Sequence, residues 1–189
     1  MADTKQDIMD ATYAALCEHG LSDLSIQDIA EEMDAGKSLV YYHYEDKEEL
    51  LLAFMDWMSG HIEKEHQELE DKPPRERLNG MLDLALGMED EKRWEFQKAF
   101  LEMRAQASHS SGFAEKFSKI DNMVLKEAED VFRELGTGQP GELAKVFVSC
   151  IEGAASRKAS ARDREGLKEL RESIKQVLSM ACGCDCFSG

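Results

Sequence analysis

The stretch from Ser25 to Lys47, SIQDIAEEMDAGKSLVYYHYEDK, constrains the fold of this chain more than any other. Ser25 and Asp28 have the spacing of a capping box, in which each side chain satisfies a backbone group of the other at the start of a helix. A short glycine-containing turn, residues 34–36, then separates two segments of helical character. Apolar residues recur at helical spacing in the first segment, at Ile26, Ile29, Ala30 and Met33. The pattern predicts two short helices joined by a tight turn.

Two short helices with this spacing form a helix-turn-helix, which places its second helix in the major groove of DNA. The second helix is expected to begin with Lys37, Ser38 and Leu39, whose side chains suit guanine edges, mixed hydrogen bonding and thymine methyl groups. Val40 and Tyr44 are expected to pack inside the domain. We expect phosphate contacts from Ser25, Gln27, Tyr41, Tyr42, His43 and Lys47.

The charge of the chain conflicts with this interpretation. The chain has 39 acidic and 23 basic residues, and residues 1–50 alone hold thirteen acids and three lysines, a net charge of −10. DNA-binding surfaces are normally basic. One explanation is that the segment does not bind DNA. The other, which we favour because Lys37 and Lys47 fall where the motif needs them, is a cytoplasm rich in salt, where acidic surfaces keep proteins soluble.

Helical periodicity continues along the rest of the chain, and no segment has a convincing strand pattern. Besides the turn at 34–36, the helices are separated at Gly20, at Glu45-Asp46, at Pro73-Pro74, before Glu91, at residues 108–112, at the GTGQPG run at 136–141 and before Asp163, which gives about nine helices. We therefore predict an all-α fold. Its parts are a three-helix helix-turn-helix domain at residues 1–46, a helical regulatory and dimerisation domain at 47–181, and a cysteine-rich tail at 182–189.

At IAEEMDAGKSLVYYHYEDKEEL, residues 29–50, the sequence resembles the TetR family of transcriptional repressors. The resemblance covers about residues 4–55. It departs from the family pattern at Asp34, where the family usually has a small residue such as glycine. The matching residues are Ser25, Ile29, Ala30, Lys37, Val40, Tyr41, Tyr42, His43, Tyr44, Lys47 and Leu50.

This resemblance implies an Ω-shaped helical homodimer whose N-terminal domains bind a palindromic operator in double-stranded DNA. It also implies that the C-terminal domain holds a pocket for a small-molecule effector, whose binding spreads the two recognition helices. We therefore expect a ligand-responsive repressor that requires no cofactor. No apolar run is long enough to cross a membrane and no secretory signal is evident, so we expect a cytoplasmic location and no membrane partner.

The last two helices carry apolar stripes that are typical of a dimer interface. The stripes consist of Leu143, Val146, Phe147, Cys150, Ile151 and Ala154, and of Leu167, Leu170, Ile174, Val177 and Leu178. Two such helices from each subunit form a four-helix bundle, which buries matching stripes about a twofold axis. The alternative is that both stripes pack within their own subunit.

Candidate effector contacts are large, adaptable side chains on the helices between these regions. Arg104 is the polar candidate, because a buried arginine needs an anionic partner. The alternative for the whole set is that its members are ordinary core residues. The candidates are Trp94, Phe100, Met103, Arg104 and Phe117.

The tail places Cys182, Cys184 and Cys186 at alternate positions. In an extended conformation their three thiolates project to one side, an arrangement that suits a soft metal such as Zn²⁺ or Cu⁺. Disulfide-based redox sensing is a second possibility, and a disordered tail with incidental cysteines is a third.

No catalytic motif is present, so we do not expect an enzyme. The sequence HIEKEH at 61–66 lacks the order that a zinc hydrolase needs, and no glycine-rich phosphate loop follows a strand. Two other interpretations remain open. One is a metal- or redox-responsive regulator that senses through the tail cysteines. The other is a helical interaction module with a degenerate helix-turn-helix.

Overall fold

The computed structural model describes residues 4–87, 91–161 and 164–182, and all regular secondary structure in these ranges is α-helical. The predicted all-α fold with about nine helices is confirmed for this part of the chain. None of the described helices has both the length and the apolar character that a membrane span requires. The helices are α1 Thr4–Asp23, α2 Ile26–Glu32, α3 Lys37–His43, α4 Lys47–Glu70, α5 Pro74–Leu86, α6 Glu91–Gln106, α7 Ser111–Glu134, α8 Pro140–Ala161 and α9 Arg164–Cys182.

Glycine and proline mark several helix boundaries, among them the predicted ones at Gly20 and Pro73-Pro74. The helical backbone breaks at Gly20, whose φ of 71° and ψ of 176° are accessible almost only to glycine, although a further short turn extends α1 to Asp23. Pro74 occupies the first turn of α5, where its missing N–H costs nothing. Gly87 then ends α5 in the left-handed conformation with a φ of 52°.

One compact unit comprises Met1–His61 and Asp90–Ser118. It contains α1 to α3, the first part of α4, α6 and the start of α7. It extends beyond the predicted domain at 1–46 because α6 packs along α1, where the Tyr13 and Phe96 rings stack with centroids 4.7 Å apart. The fully buried side chains of this unit include Ile8, Ala15, Leu16, Ile29, Ala30, Val40, Leu50, Phe54, Met55, Ala99 and Met103.

The other compact unit comprises Ile62–Glu89 and Lys119–Gly189. Phe132 on α7 and Phe147 on α8 pack edge to face with ring centroids 5.9 Å apart, which places the centre of this core between the two helices. The unit also holds two buried polar side chains, His66 and Arg77, each with a carboxylate partner. His66 pairs with Glu127, and Arg77 donates to Glu134 at 2.9 Å. Its other buried residues include Leu78, Met81, Leu82, Leu86, Ala128, Val131 and Ala144.

Candidate nucleic-acid interface

The helix-turn-helix begins with the predicted capping box. The Asp28 N–H donates to the Ser25 hydroxyl at 3.3 Å, and the Ser25 N–H donates to the Asp28 carboxylate at 2.7 Å. Hydrogen bonds with the Ser25 side chain and backbone hold the pKa of the Asp28 carboxyl below its ordinary value. The reciprocal bonds fix where α2 starts, because they satisfy backbone donors that have no partner inside the helix.

The turn between α2 and α3 is a Schellman motif. Asp34 adopts a φ of 51°, the Asp34 N–H donates to the Glu31 carbonyl, and the Ala35 N–H donates to the Ala30 carbonyl at 2.9 Å. The left-handed conformation favours glycine, and aspartate is one of the few other residues that tolerate it. This geometry explains why a small residue suits position 34 and how Asp34 is accommodated there.

α3 has one buried side and one exposed side. Val40 is fully buried and Tyr44, which follows the helix, is nearly so, which confirms that both pack inside the domain. On the other side, Tyr41 is 52% exposed and Tyr42 is 82% exposed. Lys37 and Ser38 at the start of the helix are also exposed. The helix therefore presents lysine, serine and phenol groups to solvent while its apolar residues anchor it.

All nine candidate DNA contacts remain at least partly accessible. Ser25, Lys37, Ser38, Tyr41 and Tyr42 are exposed, whereas Gln27, Leu39, His43 and Lys47 are half-buried. Gln27 donates to the Glu31 carboxylate at 2.5 Å, so its amide already has one partner within α2. Accessibility is necessary for contact with a duplex, but the contacts themselves stay predictions.

Lys47 has a structural role that the sequence analysis missed. Its ammonium donates to the Leu21 carbonyl at 3.2 Å and to the Leu24 carbonyl at 2.6 Å, which ties the end of α1 to the start of α4. Burial of the ammonium lowers its pKa, and the Asp28 carboxylate offsets part of that effect. An ammonium has three N–H donors, so one remains for the predicted phosphate contact.

Part of the negative charge near α3 caps the next helix. Asp46 accepts from the Glu49 N–H at 2.8 Å, and the Glu49 carboxylate accepts from the Glu45 N–H at 2.6 Å. Carboxylates are favourable at helix N-termini because they bind free N–H groups and complement the helix dipole. The Asp-x-x-Glu spacing at 46–49 carries this signal in the sequence.

The candidate effector residues all lie in the first unit. Trp94, Met103 and Phe117 are buried, and the Phe100 ring lies 5.2 Å from Phe117 between centroids. The Arg104 guanidinium stacks 4.6 Å from the Phe117 centroid and is half-buried. This arginine is half-buried rather than fully buried, and its pairing with an anionic effector stays a prediction. Phe100, Arg104 and Phe117 pack together, and effector contact by any member of the set stays a prediction.

Of the three tail cysteines, Cys182 alone falls within the described residues. Cys182 ends α9, and Cys184 and Cys186 lie outside the described residues. Within the described ranges, no group of three or more His, Cys, Asp or Glu side chains is placed to hold a metal ion.

The predicted interface stripes on α8 and α9 divide into buried and exposed parts. Among their members, Val146 is 49% exposed and Val177 is 56% exposed. Met180, which the sequence analysis did not single out, is 74% exposed. We call Val146, Cys150, Gly153, Val177 and Met180 the outer surface of α8 and α9. The members that are buried within the subunit are Phe147, Ile151, Ala154, Leu167, Ile174 and Leu178.

Comparison with known proteins gives a consistent result. A family profile described as bacterial regulatory proteins, tetR family, matches residues 8–54, a range that includes all nine candidate DNA contacts. A TetR transcription regulator from Haloarcula marismortui is 30% identical and has a TM-score of 0.85, with 95% of this chain and 98% of that chain covered. The HTH-type transcriptional repressor AcnR of Corynebacterium glutamicum is 26% identical over 182 residues, with 91% and 90% covered. A transcriptional regulator from Rhodococcus sp. Rha1, at 18% identity and a TM-score of 0.83, shows similarity of fold alone.

Proposed function

Because the chain belongs to the TetR family of transcriptional regulators, we propose that it represses transcription by binding a palindromic operator as a homodimer. The observation that carries the proposal is the exposure of Tyr42, 82%, on a helix whose opposite side is anchored by the buried Val40. Tyr41 beside it is 52% exposed, and an exposed aromatic patch next to Lys37 and Ser38 is typical of a binding surface. Repression, rather than activation, is supported by the relative at 26% identity that is named as a repressor.

In the proposed complex, the start of α3 reads base edges in the major groove. Lys37 reaches guanine O6 or N7, Ser38 donates or accepts a hydrogen bond, and Leu39 contacts a thymine methyl group. The remaining candidates fix the position of the helix on the backbone. They are Ser25, Gln27, Tyr41, Tyr42, His43 and the free donor of Lys47, which contact phosphates.

Dimerisation is proposed through the outer surface of α8 and α9. Val146, Val177 and Met180 are exposed, and their burial against a second copy would stabilise a dimer. Gly153 leaves room for a partner helix to approach closely, because a Cβ at this position would meet nothing within 4 Å. Two helices from each subunit then form a four-helix bundle. The twofold axis of such a dimer explains why a palindromic operator is expected.

We also propose control by a small-molecule effector in the cytoplasm. The candidate contacts are Trp94, Phe100, Met103, Arg104 and Phe117. The support for them is limited to their chemistry: a cluster of aromatic rings beside a guanidinium suits a flat, partly polar molecule.

Selection of bound duplexes from a randomised library tests the proposed function. We expect the wild-type chain to enrich an inverted repeat whose half-sites are centred one helical turn, about 34–36 Å, or a multiple of that distance apart. Enrichment of a single, unrepeated half-site would contradict the dimer while preserving DNA binding. Recovery of no preferred sequence at any salt concentration would contradict the proposed function as a whole.

A further inference from the structure

The connection between α1 and α2 is held from two sides by charged side chains. On one side, the Glu102 carboxylate on α6 accepts a hydrogen bond from the Leu21 N–H at 2.7 Å. On the other side, the Lys47 ammonium at the start of α4 donates to the carbonyl oxygens of Leu21 and Leu24. Leu21, which is itself buried, is therefore bonded through both its N–H and its carbonyl to side chains distant in sequence.

The backbone break at Gly20 creates the need for the Glu102 contact. With a φ of 71° and a ψ of 176°, Gly20 departs from helical geometry immediately before Leu21. A buried N–H without a partner costs as much as a lost hydrogen bond, so the amide of Leu21 requires an acceptor. Glu102 also closes over the break, because a Cβ built at Gly20 would lie 3.4 Å from the Glu102 carboxylate.

From Leu21 the contacts continue to the first helix of the helix-turn-helix. The Lys47 ammonium that binds the Leu21 carbonyl also interacts electrostatically with the Asp28 carboxylate. Asp28 in turn forms the capping box with Ser25 that fixes the start of α2. Hydrogen bonds thus link α6, the end of α1 and the start of α4, and the electrostatic attraction between Lys47 and Asp28 extends this series to α2.

We propose that Glu102 is a positioning residue for DNA binding, which holds the α1–α2 connection through Leu21 and thereby fixes the orientation of the helix-turn-helix. This inference rests on the proposed function, because it assigns Glu102 an effect on operator affinity without any contact to DNA. The physical basis is preorganisation. If the connection is loose, DNA binding must order it, and the entropy lost in doing so lowers the affinity.

Three substitutions at one position separate this role from a general loss of stability. Glu102→Ala removes the acceptor and is expected to weaken operator binding about tenfold, the scale of one hydrogen bond to a charged group. Glu102→Gln keeps an oxygen acceptor and should restore most of that loss. Glu102→Asp keeps the charge but shortens the side chain, so an intermediate loss is expected, and it carries the test if the alanine variant fails to fold. Glu95→Gln, at an exposed position of α6, is the matched control.

The measurements are the dissociation constant for the duplex enriched by the wild-type chain, at a temperature where each variant is fully folded, and hydrogen exchange at the Leu21 amide. Faster exchange at Leu21 in Glu102→Ala, together with weaker binding, supports the proposal. Wild-type affinity in Glu102→Ala and Glu102→Asp would overturn it. Tighter binding in these variants would also overturn it, because the contact would then hold an arrangement that disfavours DNA.

A double-mutant cycle tests whether Glu102 acts through Lys47. If the effect of Glu102 on the helix-turn-helix depends on Lys47, Glu102→Ala should lower the operator affinity less in a Lys47→Met background than in the wild type. Fully additive losses would show that Glu102 does not act through Lys47. Failure of the wild-type chain to enrich any duplex would be a failure of the proposed function, and protection of the Leu21 amide would still report whether the Glu102 contact forms.

Discussion

The helix-turn-helix and the outer surface of α8 and α9 both expose large apolar side chains, but the chemistry around those side chains differs. On α3, Tyr41 and Tyr42 carry hydroxyl groups and lie on the same helix as Lys37 and Ser38. On α8 and α9, the exposed side chains are Val146, Val177 and Met180, none of which can donate a hydrogen bond. The first surface matches a polar, charged partner such as a phosphate backbone, whereas the second matches another apolar surface.

Exposed tyrosine and exposed aliphatic side chains both count as hydrophobic residues in the composition, but they suit different partners. Tyrosine exposes apolar area without losing its hydrogen-bonding group, which suits an interface that stays partly hydrated. Exposed valine and methionine gain only when water is excluded from both partners. This difference supports the proposed DNA contact at the first surface and the proposed self-association at the second, and substitutions at each surface test it.

The largest effect is expected from charges on the outer surface of α8 and α9. Val146→Glu combined with Val177→Glu should convert the protein to a monomer, because burying carboxylates without partners costs several times more than the apolar contacts gain. Operator binding should be lost with dimerisation. Light scattering measures the mass of the particle in solution. The control is Lys168→Glu, a change at an exposed position of α9, the helix that carries Val177. A double variant that remains dimeric would remove this surface from the proposed interface.

An intermediate effect is expected at the other surface. Tyr42→Ala should weaken operator binding by about 1.5–3 kcal/mol for each subunit, the range of a hydrogen bond to a charged group. The mass and the helix content should not change, since the side chain is almost fully exposed. Titration of a labelled duplex measures the loss, and Ser22→Ala, at an exposed position outside the motif, is the control. Unchanged affinity in Tyr42→Ala would contradict the phosphate contact.

The smallest effect is expected from salt concentration, and it tests the role of Lys47. Lys37 is proposed to contact a base, so among the proposed contacts Lys47 is the lysine that neutralises a phosphate. If it does so in each subunit of a dimer, the logarithm of affinity should fall with the logarithm of salt concentration with a slope of about −2. If its ammonium only supports the fold, the affinity should depend little on salt. Affinities measured over a series of KCl concentrations distinguish the two. A slope much steeper than about −2 would show basic contacts beyond those proposed.

Local features of the helix-turn-helix were predictable from the sequence because their causes lie within a few residues. The capping box depends on Ser25 and Asp28, three positions apart, and the burial of Val40 and Tyr44 follows from helical spacing. The break at Gly20 was predictable for the same reason. The family profile matches residues 8–54, the same region in which these local predictions are confirmed.

The contacts of Lys47 and Glu102 were not predictable from spacing. Their partners lie at least 23 and 81 residues away in the sequence, and only the packing of α4 and α6 against α1 brings them together. Periodicity has a related limit on α8 and α9. It identifies an apolar face, but it does not tell whether that face meets the same subunit or another. The division of the stripes between Ile174, which is buried, and Val177, which is exposed, appears only in the structure.

The backbone at Asp34 has a consequence for how the acidity of this chain is distributed. A side chain in the left-handed conformation costs about 1–2 kcal/mol relative to the right-handed one, and glycine would avoid most of that cost. Position 34 nevertheless carries a carboxylate, and it does so in the turn that precedes the proposed recognition helix. The acidic residues of this chain therefore occupy more than positions where any polar residue would be tolerated. One of them, Asp34, occupies a position whose backbone conformation favours glycine.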